Sequence, residues 1–174
     1  MSSPSATLLV AVTDDYACVK IAGRANFAAS VDFKQLILGL RARGHRRFIL
    51  DLTSCLIMDS TFLGVLARLA LDQSAGASAG GGPLELLNPN ARVSDLLDNL
   101  GVLPLFRVAQ GTEPGNVRFE AVVCIAGETS KLEMSRNCLA AHQTLMALNP
   151  ENVARFKDVA KFLAEDLQKL EGGA

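Results

Sequence analysis

The sequence predicts an α/β domain: a mixed β-sheet of about four or five strands with helices packed on it, followed by a C-terminal helical extension. Three observations point there. Short apolar runs alternate along the chain with segments of helical periodicity. Gly, Pro, Asn and Asp mark the junctions between them. Beyond a Gly- and Pro-containing linker, the last third of the chain becomes long, charged and helix-forming.

Thr7 to Val12 and Tyr16 to Ala22 are apolar runs joined by Asp14-Asp15, which predicts a β-hairpin ended by Gly23. A helix is expected from about Ala28 to Arg43. Phe33, Leu36, Ile37 and Leu40 share one face, Arg41 and Arg43 suit the C-terminal dipole, and Gly44 stops it. Phe48 to Leu52 reads as a buried central strand. A second helix begins near Asp59 and runs to about Asp72. Gln73 to Pro83, rich in Ala, Gly and Ser, reads as a surface loop, and it lacks the lysine and spacing of a phosphate-binding loop. Leu84 to Leu87 predicts a strand, Ala91 to Leu100 a helix capped by Gly101, and Leu105 to Val108 a last short strand.

This places a domain over residues 1–110 and a linker with helical extension over 111–174. Val117 to Ala126 is extended and apolar, with no packing partner evident from sequence. Ser130-Lys131-Leu132-Glu133 is a capping box opening a helix to about Leu148, and Asn149-Pro150-Glu151 opens another. In the last helix Val153, Phe156, Ala160, Leu163, Leu167 and Leu170 form a heptad seam. The seam can dock on its own domain or form a homodimer.

Composition narrows the function classes. Hydrophobic residues make up 49% of the chain, enough for a core without metals or disulfides, and aromatic residues only 5%, so that core is aliphatic. A formal net charge of -1 supplies no basic surface for nucleic acid. No apolar stretch is long enough to insert in a membrane, and Met1 to Thr7 lacks the basic residues of a signal peptide, so a cytoplasmic protein is expected. Cys18, Cys55, Cys124 and Cys138 sit among apolar residues without zinc spacing and read as buried thiols. Cys138 and His142 could share a helix face but lack further ligands, so neither metal nor cofactor is expected. His45 lies in a polar turn. Asp51 and Asp59 read as a strand end and a helix cap, and no catalytic constellation stands out, so an enzyme is not expected.

The stretch Phe48 to Leu66, FILDLTSCLIMDSTFLGVL, resembles the signature of the STAS family, whose best-known members are bacterial anti-sigma factor antagonists. The matching positions are Asp51-Leu52 at a strand end, Met58-Asp59-Ser60 at a helix start, and Leu63-Gly64 within that helix. Ile21-Ala22-Gly23, Leu86-Leu87-Asn88 and Val93 to Leu100 extend the likeness over roughly residues 6–110. Two positions depart from the family pattern: Phe62 stands where a Gly is usual, and Asn26 where an Asp often helps engage the kinase.

The resemblance implies a non-enzymatic, phospho-switched binding module. Unmodified Ser60 would let it sequester an anti-sigma factor serine kinase of the GHKL type, freeing a sigma factor; phosphorylated Ser60 would not. Thr61 is the alternative acceptor. A hydroxyl in the first helical turn suits the role, because a phosphate adds about -1.5 to -2 charges at a surface a partner must desolvate. The partner-binding set expected is Asn26, Asp59, Ser60, Thr61, Phe62 and Val65. Phe62, Val65 and Leu69 form a second apolar stripe on the Ser60 helix, and a surface helix is normally polar there. That stripe needs a cover: a docked anti-sigma factor anchored on Phe62, or the C-terminal helices of this chain or of a second subunit. The alternative function is a non-phosphorylated STAS scaffold subunit of a stress-signalling or transport complex.

Overall fold

The computed structural model describes residues 5–76, 82–112, 115, 117–122 and 129–173. The middle of the Ala/Gly/Ser loop, the segment after Val122 and Cys124 lie outside the described residues.

The hairpin forms as expected. β1 (Thr7–Val12) and β2 (Ala17–Ala25) pair antiparallel, and in their turn the Thr13 hydroxyl accepts hydrogen bonds from the amides of Asp15 and Tyr16. Gly23 does not end β2. At φ +94° it sits at a register shift, where the strand's pairing with Cys55–Met58 slips between Gly23 and Arg24. The first half of β2 pairs parallel with β3 (Phe48–Asp51), and the second half with β4 (Cys55–Met58). β3 also pairs with β5 (Leu84–Leu87), which pairs with β6 (Phe106–Ala109), both parallel. β7 (Glu120–Ala121) closes the other edge against β1. The order across the sheet is β6-β5-β3-β2-β1-β7, with β4 beside the end of β2. Among the described residues the sheet thus has seven strands; the two beyond expectation are β4, hidden in a stretch that reads as loop, and the two-residue β7.

The helices are α1 (Phe27–Ala42), α2 (Ser60–Ala75), α3 (Ala91–Asn99), α4 (Lys131–Leu148) and α5 (Glu151–Gly172). α1 and α2 lie side by side. Phe33 and Phe62 stack with ring centroids 5.1 Å apart, and the Arg41 guanidinium donates to the Leu69 carbonyl at 2.8 Å. The main core joins Leu8, Val19, Ile21 and Leu50 of the sheet to Phe33 and Ile37 of α1 and to Phe62, Leu63 and Leu66 of α2. Residues of opposite parity, Cys18, Ile49 and Leu87, face the other side of the sheet, where Val117 and Phe119 cover them. This is the packing that sequence alone did not supply for the post-linker segment.

The C-terminal helices are part of the same body. Ala141 and Leu145 of α4 belong to the main core. α4 crosses α2 at Gly64, where a β-carbon would lie 2.4 Å from the Ala141 carbonyl oxygen, so only glycine lets the backbones approach this closely. Buried Asn137 donates to the Ser30 hydroxyl of α1 at 2.9 Å. At the α4–α5 corner, fully buried Asn152 donates to the carbonyls of Leu100 and Leu145, tying the hairpin to the end of α3. The α5 seam packs on α4 of its own chain, with Ala160 buried and an Arg136–Glu171 ion pair at 2.7 Å at the far end. Of the seam residues Ala160 is buried, Phe156, Leu163, Leu167 and Leu170 are half-buried, and Val153 is exposed. Among the described residues no helix is long and apolar enough to cross a membrane, and no cluster of His, Cys, Asp or Glu could hold a metal ion.

Candidate functional site

The site is built where two helices start beside each other. β2 ends at Ala25 and β4 at Met58, and the Asp59 amide donates to the Ala25 carbonyl at 2.9 Å, so both chains leave the sheet together. Asn26 and Asp59 are short polar residues in extended backbone immediately before apolar helices, the residue type and conformation that cap orphan amides. Asn26 Oδ1 accepts from the Ala29 amide and from the Ser5 hydroxyl, each at 3.0 Å. Asp59 serves both helices: Oδ1 accepts from the Phe62 amide of α2 at 2.8 Å, and Oδ2 from the Phe27 amide of α1 at 2.7 Å. Burial raises the Asp59 carboxyl above its ordinary value, while these amides and nearby His142 pull it back.

Ser60 is the first residue of α2 and is half-buried. Its Oγ lies 3.0 Å from His142 Nε2 of α4. His142 Nδ1 is 2.7 Å from the Cys138 carbonyl oxygen. A carbonyl only accepts, so Nδ1 carries a proton, and in the neutral ring Nε2 is a bare lone pair that accepts from the Ser60 hydroxyl. The edge of the Phe156 ring of α5 contacts the imidazole, centroids 5.0 Å apart, and His142 is only 5 % exposed. Thr61 is buried and directs its hydroxyl to Cys138 Sγ at 3.7 Å. Burial pushes the Cys138 thiol upward, favouring its protonated form.

The structure brings together Asn26, Asp59 and Ser60 at one accessible corner and withdraws the other three expected partner-binding residues. Phe62 is 0 % exposed, stacked on Phe33. Val65 is buried beneath a groove of about 410 Å³ between α1, α2 and α4. Thr61 is under α4. The second apolar stripe of α2 is thus covered by the chain's own helices, and Phe62 is no surface anchor.

In their place, sequence reasoning missed two exposed apolar side chains: Phe27 at the start of α1, 46 % exposed, whose amide bonds Asp59, and Leu56 of β4, 61 % exposed, three residues before Asp59. Leu56 lines a surface groove of about 500 Å³ with Arg24, Ile57, Asn90, Ala91 and Arg92. Asn90 braces it, donating to the Cys55 and Leu56 carbonyls while its Oδ1 caps α3. Cys55-Leu56-Ile57-Met58 is apolar throughout, so no alternation in the sequence marked Leu56 as outward. Nothing in sequence spacing could have paired Ser60 with His142, which lies far along the chain.

A family model for the STAS domain matches residues 7–113. No curated protein matches the sequence significantly. Among solved structures, the fold is similar to TM1081 of Thermotoga maritima, a candidate anti-sigma factor antagonist, with a TM-score of 0.52 and 22% identity over 60% of this chain and 86% of that one. It is similarly related to the anti-sigma factor antagonist SpoIIAA in its unphosphorylated form, with a TM-score of 0.51 and 22% identity over 62% of this chain and 89% of that one.

Proposed function

This chain belongs to the STAS domain family, and from that premise we propose that it is a cytoplasmic anti-sigma factor antagonist whose partner, a GHKL-type serine kinase, is held while Ser60 is unmodified and released when Ser60 is phosphorylated. The observation that carries the reading is a serine only half-buried in the first turn of α2, near apolar side chains that the core does not use. The docking surface in this reading is the corner formed by Asn26, Phe27, Leu56, Asp59 and Ser60, with Arg24 and Arg92 at its margin. A phosphate there sits at a helix N-terminus, which favours an anion by about 0.3–1 kcal/mol. Asp59 alongside opposes it. The fold therefore tolerates the modification, and its cost falls on the docked partner, which would have to desolvate the new charge.

The scaffold reading, without phosphorylation, is favoured by one observation: the Ser60 hydroxyl already has a partner in His142. Mass spectrometry after incubation with ATP and candidate kinases separates the two. The switch requires phosphate on Ser60, its loss in Ser60→Ala, and weaker kinase binding by Ser60→Asp. Leu56→Glu, at an exposed position, should cut kinase affinity about tenfold or more with the fold intact. An unphosphorylated Ser60 together with full binding by Ser60→Asp leaves the scaffold reading standing.

A further inference from the structure

The Ser60–His142 contact does more than dock α4. A serine whose hydroxyl points at a bare imidazole nitrogen, with the opposite ring nitrogen fixed by a hydrogen-bond acceptor, has the arrangement of an activated nucleophile. The ring cannot swing away: the Cys138 carbonyl holds Nδ1, and Phe156 packs against it. Ser60 as a residue, in contrast, is only half-buried.

We propose that His142 is the general base for modification of Ser60, so that the chain supplies from its own C-terminal extension the proton acceptor for its phosphorylation. The proposal rests on Ser60 being the modified residue. In the step, Ser60 Oγ attacks the γ-phosphorus of a nucleoside triphosphate brought by the kinase. The Oγ–P bond forms as the bond from phosphorus to the β-phosphate oxygen breaks, and the electron pair leaves with the nucleoside diphosphate. The hydroxyl proton passes to His142 Nε2. The resulting imidazolium keeps its Nδ1–H on the Cys138 carbonyl and presents Nε2–H to the phosphate formed on Oγ, so the extension stays latched to the modified site. Thr61 cannot substitute, because its hydroxyl is buried against Cys138.

A test without any kinase uses an alkyl fluorophosphonate, which labels activated serines by forming an Oγ–P bond and expelling fluoride. The full chain should be labelled at Ser60 and not at exposed Ser54. The rate should rise with pH, because only the unprotonated base accepts the serine proton. Among the described residues, the titratable group that acts on the ring is Asp59, at the cap of α2, while α4 presents the Cys138 carbonyl and α5 the uncharged Phe156. His142→Gln should label about a hundredfold more slowly or worse, with a flat pH profile. In His142→Ala, added imidazole should restore labelling, a rescue that a merely structural histidine would not allow. Absence of labelling at Ser60, or a wild-type rate independent of pH, overturns the proposal whether or not the variants fold. Equal rates in folded wild type and His142→Gln overturn it as well. Kinase phosphorylation of Ser60 is read separately, so loss of either result leaves the other interpretable.

Discussion

Phe62 shows how one residue can be read two ways from the same position. In sequence it is an apolar residue in the first turn of α2, beside a candidate phosphoacceptor, which suggests an anchor for a partner. In three dimensions its ring is fully buried against Phe33. Phe62→Ala should therefore cost about 3–5 kcal/mol of stability through lost burial and the cavity left behind. Chemical denaturation measures this directly; a cost below about 1 kcal/mol would mean the ring is not packed in the core. Any loss of partner binding in that variant would report folding rather than contact. Asp59 was readable in sequence as a helix cap, and it is one, but its second oxygen on the Phe27 amide was not readable. Caps depend on local spacing. A bond between residues far apart in sequence depends on β2 and β4 ending together, and that depends on a strand the sequence hid.

At the scale of elements, what could be read was what periodicity governs. β3, β5, α3 and the capping box of α4 fall where the residue patterns put them: β3 and β5 as short continuous apolar runs, α3 by a repeating apolar face, and the α4 start by a serine and a glutamate three apart. β4 escaped because four residues between a turn and a helix cap carry too little alternation to separate strand from loop. The α2–α4 crossing escaped for a different reason. Gly64 looks like one more small residue in a helix, yet it is the position where α4 comes closest. Gly64→Ala would drive a methyl into the Ala141 backbone, which has no flexible end to yield. The helices must separate, at an expected cost of about 1–3 kcal/mol by overpacking, the reverse of the gain alanine gives in an exposed helix. Thermal denaturation of the variant is the check, and a melting temperature equal to or above that of the wild type would show that α4 does not seat there.

For the whole molecule, the question is whether the C-terminal helices are an appendage or a layer of the fold. The family match ends at residue 113, and resemblance alone makes the remaining residues look dispensable. The packing argues otherwise. Ala141 and Leu145 lie in the main core, Asn137 bonds Ser30 of α1, and Asn152 satisfies carbonyls at the end of α3 and in α4. α4 also covers the side of α2 that a domain without this extension would leave open or offer to a partner. A chain ending at Gln110 should therefore expose Val65 and its apolar neighbours on α2. Contiguous apolar surface of that kind drives association. The shortened chain is expected to sediment as a self-associating species, to bind a hydrophobic dye that the full chain does not, and to unfold at lower denaturant. If it sediments with the same subunit number as the full chain and keeps its stability, α4 is only resting on α2. The face would then be free for a partner, and the Ser60–His142 contact would be transient rather than a fixed part of the site.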